Sequence, residues 1–134
     1  MARQEIETVI QKIYSAFEAL DATKLDENFS HSETLTAFGT DEDENFYGWE
    51  KYKSVHEVQF KAVKSFQFKS TDRRVFEHND TAWFSDRVHW KIDTKTGETV
   101  DTKVRITGVL VKENGNWRIV QWHVSQGVPR LHEY

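Results

Sequence analysis

The chain has 134 residues, nine Phe, five Trp and four Tyr, no Cys, and a formal net charge of -4 at pH 7. That length suits a single domain, residues 1–134, with an aromatic core or pocket, and the charge argues against a non-specific nucleic-acid binder, which needs a basic field. Lack of Cys excludes disulfides, thiolate zinc sites and Cys nucleophiles, and no apolar run reaches the roughly 20 residues of a membrane span.

The opening stretch Met1-Ala2-Arg3-Gln4-Glu5 carries charges and leads into an amphipathic pattern unlike a signal peptide, so a cytoplasmic location is expected. The first predicted helix covers 4–20. Ile6, Val9, Ile10, Ile13, Phe17 and Leu20 make one apolar stripe, and Tyr14 lies beside it, able to send its hydroxyl into a cavity. A short second helix is expected over 21–29, capped by Asp21 or Thr23. A strand over 31–38 follows, with Thr34, Thr36 and Phe38 alternating against Glu33, Leu35 and Ala37, and Gly39 ends it. Residues 40–45, Thr-Asp-Glu-Asp-Glu-Asn, read as a solvated acidic turn that caps the next helix. Asp41-x-Asp43 resembles the opening of a calcium loop but lacks the glycine and distal glutamate such a loop needs. The third helix is predicted over 48–61, with Trp49, Tyr52, Val55, Val58 and Phe60 on its apolar side.

From residue 64 onward the period is two. Phe66 and Phe68 alternate with polar neighbours, and Arg73 to Glu77 starts a further strand that Asn79-Asp80 turns into a three-stranded antiparallel meander at about 82–92, 99–112 and 117–125. Asn114-Gly115 between the last two strands predicts a type I′ hairpin, which needs positive φ at both central positions. Alternation assigns Phe84, Asp86, Val88, Trp90 and Ile92 to the inner face, with Val104, Ile106, Gly108 and Leu110, and Val120, Trp122 and Val124. The outer face receives Trp83, Ser85, Arg87, His89 and Lys91, then Arg105 and Val109, then Trp117, Ile119, Gln121, His123 and Ser125. Its apolar members, with Arg105 and His123, mark a candidate subunit interface.

Two stretches carry a family resemblance that covers essentially the whole chain. Phe38-Gly39-Thr40-Asp41-Glu42-Asp43-Glu44 followed by Gly48, and Asn114-Gly115-Asn116-Trp117 followed by His123-x-Ser125-x-Gly127-x-Pro129, resemble small bacterial members of the nuclear transport factor 2-like (SnoaL-like) superfamily. The tail also resembles the association domain of calcium/calmodulin-dependent kinases. The resemblance implies an α+β fold: a cone-shaped, curved antiparallel sheet wrapped around about three N-terminal helices, as in a cystatin-like α+β barrel. It also implies a pocket in the cone and a homodimer joined through the outer sheet face. Members include ketosteroid isomerases, dehydratases, epoxide hydrolases, polyketide cyclases and many non-enzymes. The arginines that line the cone in the kinase association domains correspond to Val88, Gly108 and Val124 here. An apolar cone is therefore implied, suited to a small apolar or weakly polar molecule.

The expected ligand-binding set is Trp49, Phe84, Val88, Trp90, Gly108, Trp122 and Val124. Function as a ligand-binding domain is the first expectation, with no cofactor, no nucleic acid and no membrane partner. A cofactor-independent isomerase, dehydratase, cyclase or hydrolase is the alternative. Asp86 is the one inward charge, and its apolar surroundings favour an acid/base role with Tyr14 as carbonyl polariser and His31 as a possible contributor. His123 and Ser125, two apart on one outer face, lack the third group and oxyanion hole of a nucleophile arrangement. The six histidines show no zinc-ligand spacing.

Overall fold

The structure, a computed structural model, describes residues 2–130 and 132. Its order is α1 Ala2–Ala19, α2 Ala22–Asp26, β1 Thr36–Phe38, β2 Asn45–Tyr47, α3 Trp49–Ala62, β3 Val63–Ser70, β4 Arg74–His78, β5 Thr81–Thr94, β6 Thr99–Glu113 and β7 Asn116–Gln126. The helices fall in the N-terminal half of the chain, and the sheet is large, curved and unclosed, with strand order β2-β1-β7-β6-β5-β3 and β4 also paired with β5. All pairings are antiparallel except β1 with β7, where Thr36 lies opposite Gln121 and Phe38 opposite His123.

Each helix begins and packs as its sequence allows. The α1 stripe is buried at Ile6, Ile10, Ile13, Tyr14, Ala16 and Phe17, and the helix lies against β3, β4 and β7. Asp21 caps α2, its carboxylate accepting the Lys24 N–H at 3.1 Å. Gly48 stands at the N-cap of α3 with φ 87 and offers no side-chain cap, so the acidic turn does not cap that helix. The buried face of α3 is Trp49, Tyr52, His56 and Phe60. Val58, expected there, is 70% exposed, because counting by turns from Tyr52 lands on residue 56 and then 60. The strand predicted over 31–38 shrinks to β1, and β2 begins at Asn45, the last residue read as turn, and runs to Tyr47, with Phe38 opposite Asn45.

The long strands follow the predicted alternation through β5 and β6. Phe84, Asp86, Val88, Val104, Ile106 and Leu110 are buried, and Trp83, Arg87 and Arg105 are exposed. In β7 the alternation breaks. Val109 pairs with Gln121 but Leu110 pairs with Ile119, so Val120 is an extra residue in a bulge. Downstream of it Trp122 and Val124 face the core as expected. Upstream the phase reverses: Ile119 is fully buried, Trp117 is 5% exposed, and Val120 is only half-buried. Trp117 therefore belongs to the core and is corrected from the outer face and the subunit interface. Asn114 and Gly115 both carry positive φ, 50 and 83, as the hairpin between β6 and β7 requires.

Candidate functional site

A cavity of about 400 Å³ lies between the inner face of the sheet, α3 and the loop joining β1 to β2. The sheet contributes Phe66, Trp90, Ile92, Thr102, Trp122 and Val124, one face at two-residue spacing on β5 and β7. The helix contributes Tyr52, Val55 and Gln59, at the i, i+3, i+7 spacing of one helical face. Phe17 of α1 closes the deep end, its ring stacked on Phe68 and Trp122 at centroid distances of 5.0 and 6.3 Å. Gly39, Thr40, Asp41 and Glu44 form the mouth, with Phe46 behind them. Among the described residues its lining holds two carboxylates and no Lys, Arg or His.

The hairpin loop aims Glu44 inward. Gly39 N–H donates to the Glu44 carbonyl and Asp41 N–H to Glu44 Oε1, each at 2.9 Å. A Cβ on residue 39 would stand 2.8 Å from Glu44 Cδ, so glycine there makes room for the carboxyl. Burial raises the Glu44 pKa above the ordinary carboxylate range; the Asp41 amide opposes the rise, and the charges of Asp41 and Asp43 add to it. Tyr52 is 6% exposed, and burial, then Glu44 and Asp26, push its phenol well above the usual value, so it stays protonated. Its hydroxyl makes no hydrogen bond among the described residues.

Of the residues expected to bind a ligand, Trp90, Trp122 and Val124 line this cavity. Phe84, Val88, Gly108 and Trp49 are packed elsewhere in the core. The Phe84 ring fills the space a side chain at 108 would need, and Trp49 packs on Phe29 and stacks with His31 at 4.2 Å. His31 is exposed and Trp83, Arg105 and His123 are on the outer face, exposed. Phe17, Phe66, Tyr52 and Glu44 were not expected in the site. Phe17 and Phe66 carry the same signal as any core residue, and Glu44 sits in a run that reads as solvated.

Tyr14 and Asp86 do meet. The Tyr14 hydroxyl donates to Asp86 Oδ2 at 2.9 Å, the Ser70 hydroxyl reaches both Asp86 oxygens at 2.8 and 2.9 Å, and Arg73 Nε–H donates at 3.2 Å. The cause is a gap in the ladder. β3 leaves the edge of β5 at Ser70, opposite Val88, and β4 joins it at Arg74, opposite Ser85, so Asp86 faces the turn between them. The Arg73 guanidinium also lies 5.1 Å from the Tyr14 ring centre. Burial, then the Asp86 charge, raises the Tyr14 pKa beyond its ordinary value. This buried cluster stands apart from the cavity lining.

A second buried pair joins α2 to α3. His56 Nδ1 lies 3.0 Å from Oδ1 of the partly buried Asp26, and its Nε2, buried with Phe17, Phe29, Tyr52 and Phe60 around the ring, has no hydrogen-bond partner among the described residues. That arrangement ties the helices together at the back of the cavity.

No curated protein matches the sequence. Solved structures match in fold over nearly their whole length. They include a provisionally assigned dehydratase of the nuclear transport factor 2-like family from Streptomyces avermitilis, at TM-score 0.84 and 16% identity, covering 96% of this chain and 97% of that one. A nuclear transport factor 2-like superfamily protein from Salmonella enterica aligns at TM-score 0.84 and 20% identity, over 95% and 92% of the two chains. A provisionally assigned calcium/calmodulin-dependent protein kinase II association domain from Xanthomonas campestris aligns at 0.77 and 18%, over 92% and 86%. The model of the SnoaL-like domain matches residues 6–129, and the chain belongs to that family within the nuclear transport factor 2-like fold.

Proposed function

We propose that the chain is a small-molecule-binding domain, holding a ligand with an apolar body in the cavity between the sheet and α3. One observation carries this reading: aromatic rings from two helices and three strands, Phe17, Tyr52, Phe66, Trp90 and Trp122, converge on a single space of about 400 Å³. Such a volume lies within the range of small-ligand sites. The test is a titration with a neutral fused-ring probe, naphthylethanol, followed by Trp fluorescence and by thermal shift. Thr102→Trp, a half-buried lining position, should fill the cavity and abolish binding while leaving the fold intact. Equal binding by wild type and Thr102→Trp would place the probe elsewhere and overturn the reading.

Isomerase, dehydratase, cyclase or hydrolase chemistry through Asp86 and Tyr14 is the second reading. The contact between the two supports it, as does the dehydratase name of the Streptomyces relative. Against it, Tyr14, Ser70 and Arg73 already donate to the Asp86 carboxylate and none of the four lines the cavity, so we take the cluster as a brace. A homodimer through the outer sheet face also belongs to the proposal, resting on exposed Phe76 and Trp83.

A further inference from the structure

The cavity has one aromatic wall and one acidic lip. Trp90, half-buried, presents ring surface from the sheet beside the nearly covered Trp122 and Phe66, while Glu44 and Asp41 stand at the mouth and no Lys, Arg or His among the described residues lines the space. One Glu44 oxygen takes the Asp41 amide, and the other makes no hydrogen bond among the described residues. Tyr52, buried, lines the same space, and its hydroxyl makes no hydrogen bond among the described residues.

We propose that this site takes an organic cation: a flat apolar body seated against Trp90 and Trp122, with a protonated amine on the Glu44 carboxylate. The inference rests on the reading that the cavity binds a small molecule, and it names the class. An ammonium has donors only, and an ionised carboxylate accepts only, so the two satisfy each other where water is scarce. Aromatic faces add attraction for a cation within about 6 Å of a ring centre. Asp41 extends the same field outward and draws a cation toward the mouth. A carboxylate ligand of the same shape would meet two like charges and no donor stronger than Tyr52.

Three probes of one shape separate the possibilities: naphthylethylammonium, naphthylethanol and naphthylacetate, titrated against the whole chain. The ammonium should bind roughly tenfold more tightly than the alcohol, and the acetate most weakly. Glu44→Gln keeps the acceptor for the Asp41 amide. It should bring the ammonium down to the alcohol's level and leave the alcohol's affinity unchanged. Lowering the pH of the wild-type protein until Glu44 is protonated should do the same without any substitution, since the amine stays charged. An ammonium no tighter than the alcohol, or a preference that survives both Glu44→Gln and acid, overturns the cation assignment while the cavity reading stands. If none of the three binds, the cavity reading falls and the assignment with it.

Discussion

A Cβ at Gly108 would stand 2.6 Å from Phe84 Cε1 and 3.0 Å from the backbone oxygen of Gln121. The ring is buried and the oxygen belongs to the neighbouring strand, so neither can give way cheaply. Gly108→Ala should cost about 1–3 kcal/mol, the usual range for overpacking a filled core, and lower the melting midpoint without touching ligand affinity. Glu44 is a different case, where the charge and not the volume is out of place. The folded chain holds its proton more tightly than the unfolded chain does, because burial disfavours the carboxylate. Ionising it therefore costs stability. That cost is absent below the unfolded carboxylate range and complete once the pH exceeds the raised value. Glu44→Gln should then melt higher than wild type at neutral pH, and the two curves should converge as the pH falls. A constant difference across that range would mean that the change acts through packing instead.

The element that sets the shape of the sheet is β5, which carries β3 along one half of its edge and β4 along the other. Where they part, Asp86 gathers Tyr14 from α1, Ser70 from the end of β3 and Arg73 from the turn, tying α1 to the sheet where the ladder is interrupted. Asp86→Ala should cost about 3 kcal/mol, since Arg73 and two hydroxyls lose a buried partner. Tyr14→Phe, which leaves the other donors in place, should cost about 1–2 kcal/mol. Neither should change the affinity for naphthylethanol. A fall in affinity with stability preserved would return the cluster to the binding site. The alternation on β5 was legible because that strand is regular, and so were Asp86, Trp90 and, past the bulge, Trp122 and Val124. The bulge at Val120 was not, since nothing in the run Trp117 to Gln121 marks which residue goes unpaired. On α3 a buried histidine took the place given to Val58, because His56 finds Asp26 across the helix packing and so can be buried. The site's acidic lip escaped for a similar reason: Glu44 reads as solvent-facing until Gly39 opens a space for it.

At the scale of the whole molecule, the meander order could be read from its turns, whereas the parallel docking of β1 on β7 spans the 84 residues between Phe38 and His123 with no local signal. The same sheet leaves a question on its outer face. Phe76 and Trp83 lie directly opposite each other on β4 and β5, their rings stacked at 6.1 Å, yet they remain 52% and 45% exposed. A stacked pair on a face otherwise carrying Arg105 and His123 is the composition of an interface centre, an aromatic anchor with polar groups around it. A twofold dimer would bring each anchor near its own copy, and a standard interface of about 1,200–2,000 Å² would fit on the broad sheet. Light scattering at micromolar concentration should accordingly give twice the chain mass. Trp83→Glu should give one chain mass, because two carboxylates would then face each other across the axis with their apolar contact gone. The cavity opens on the opposite face of the sheet, so the monomeric variant should still bind naphthylethanol with wild-type affinity. A monomeric wild type would remove the interface, and a variant that stays dimeric would move it to another face.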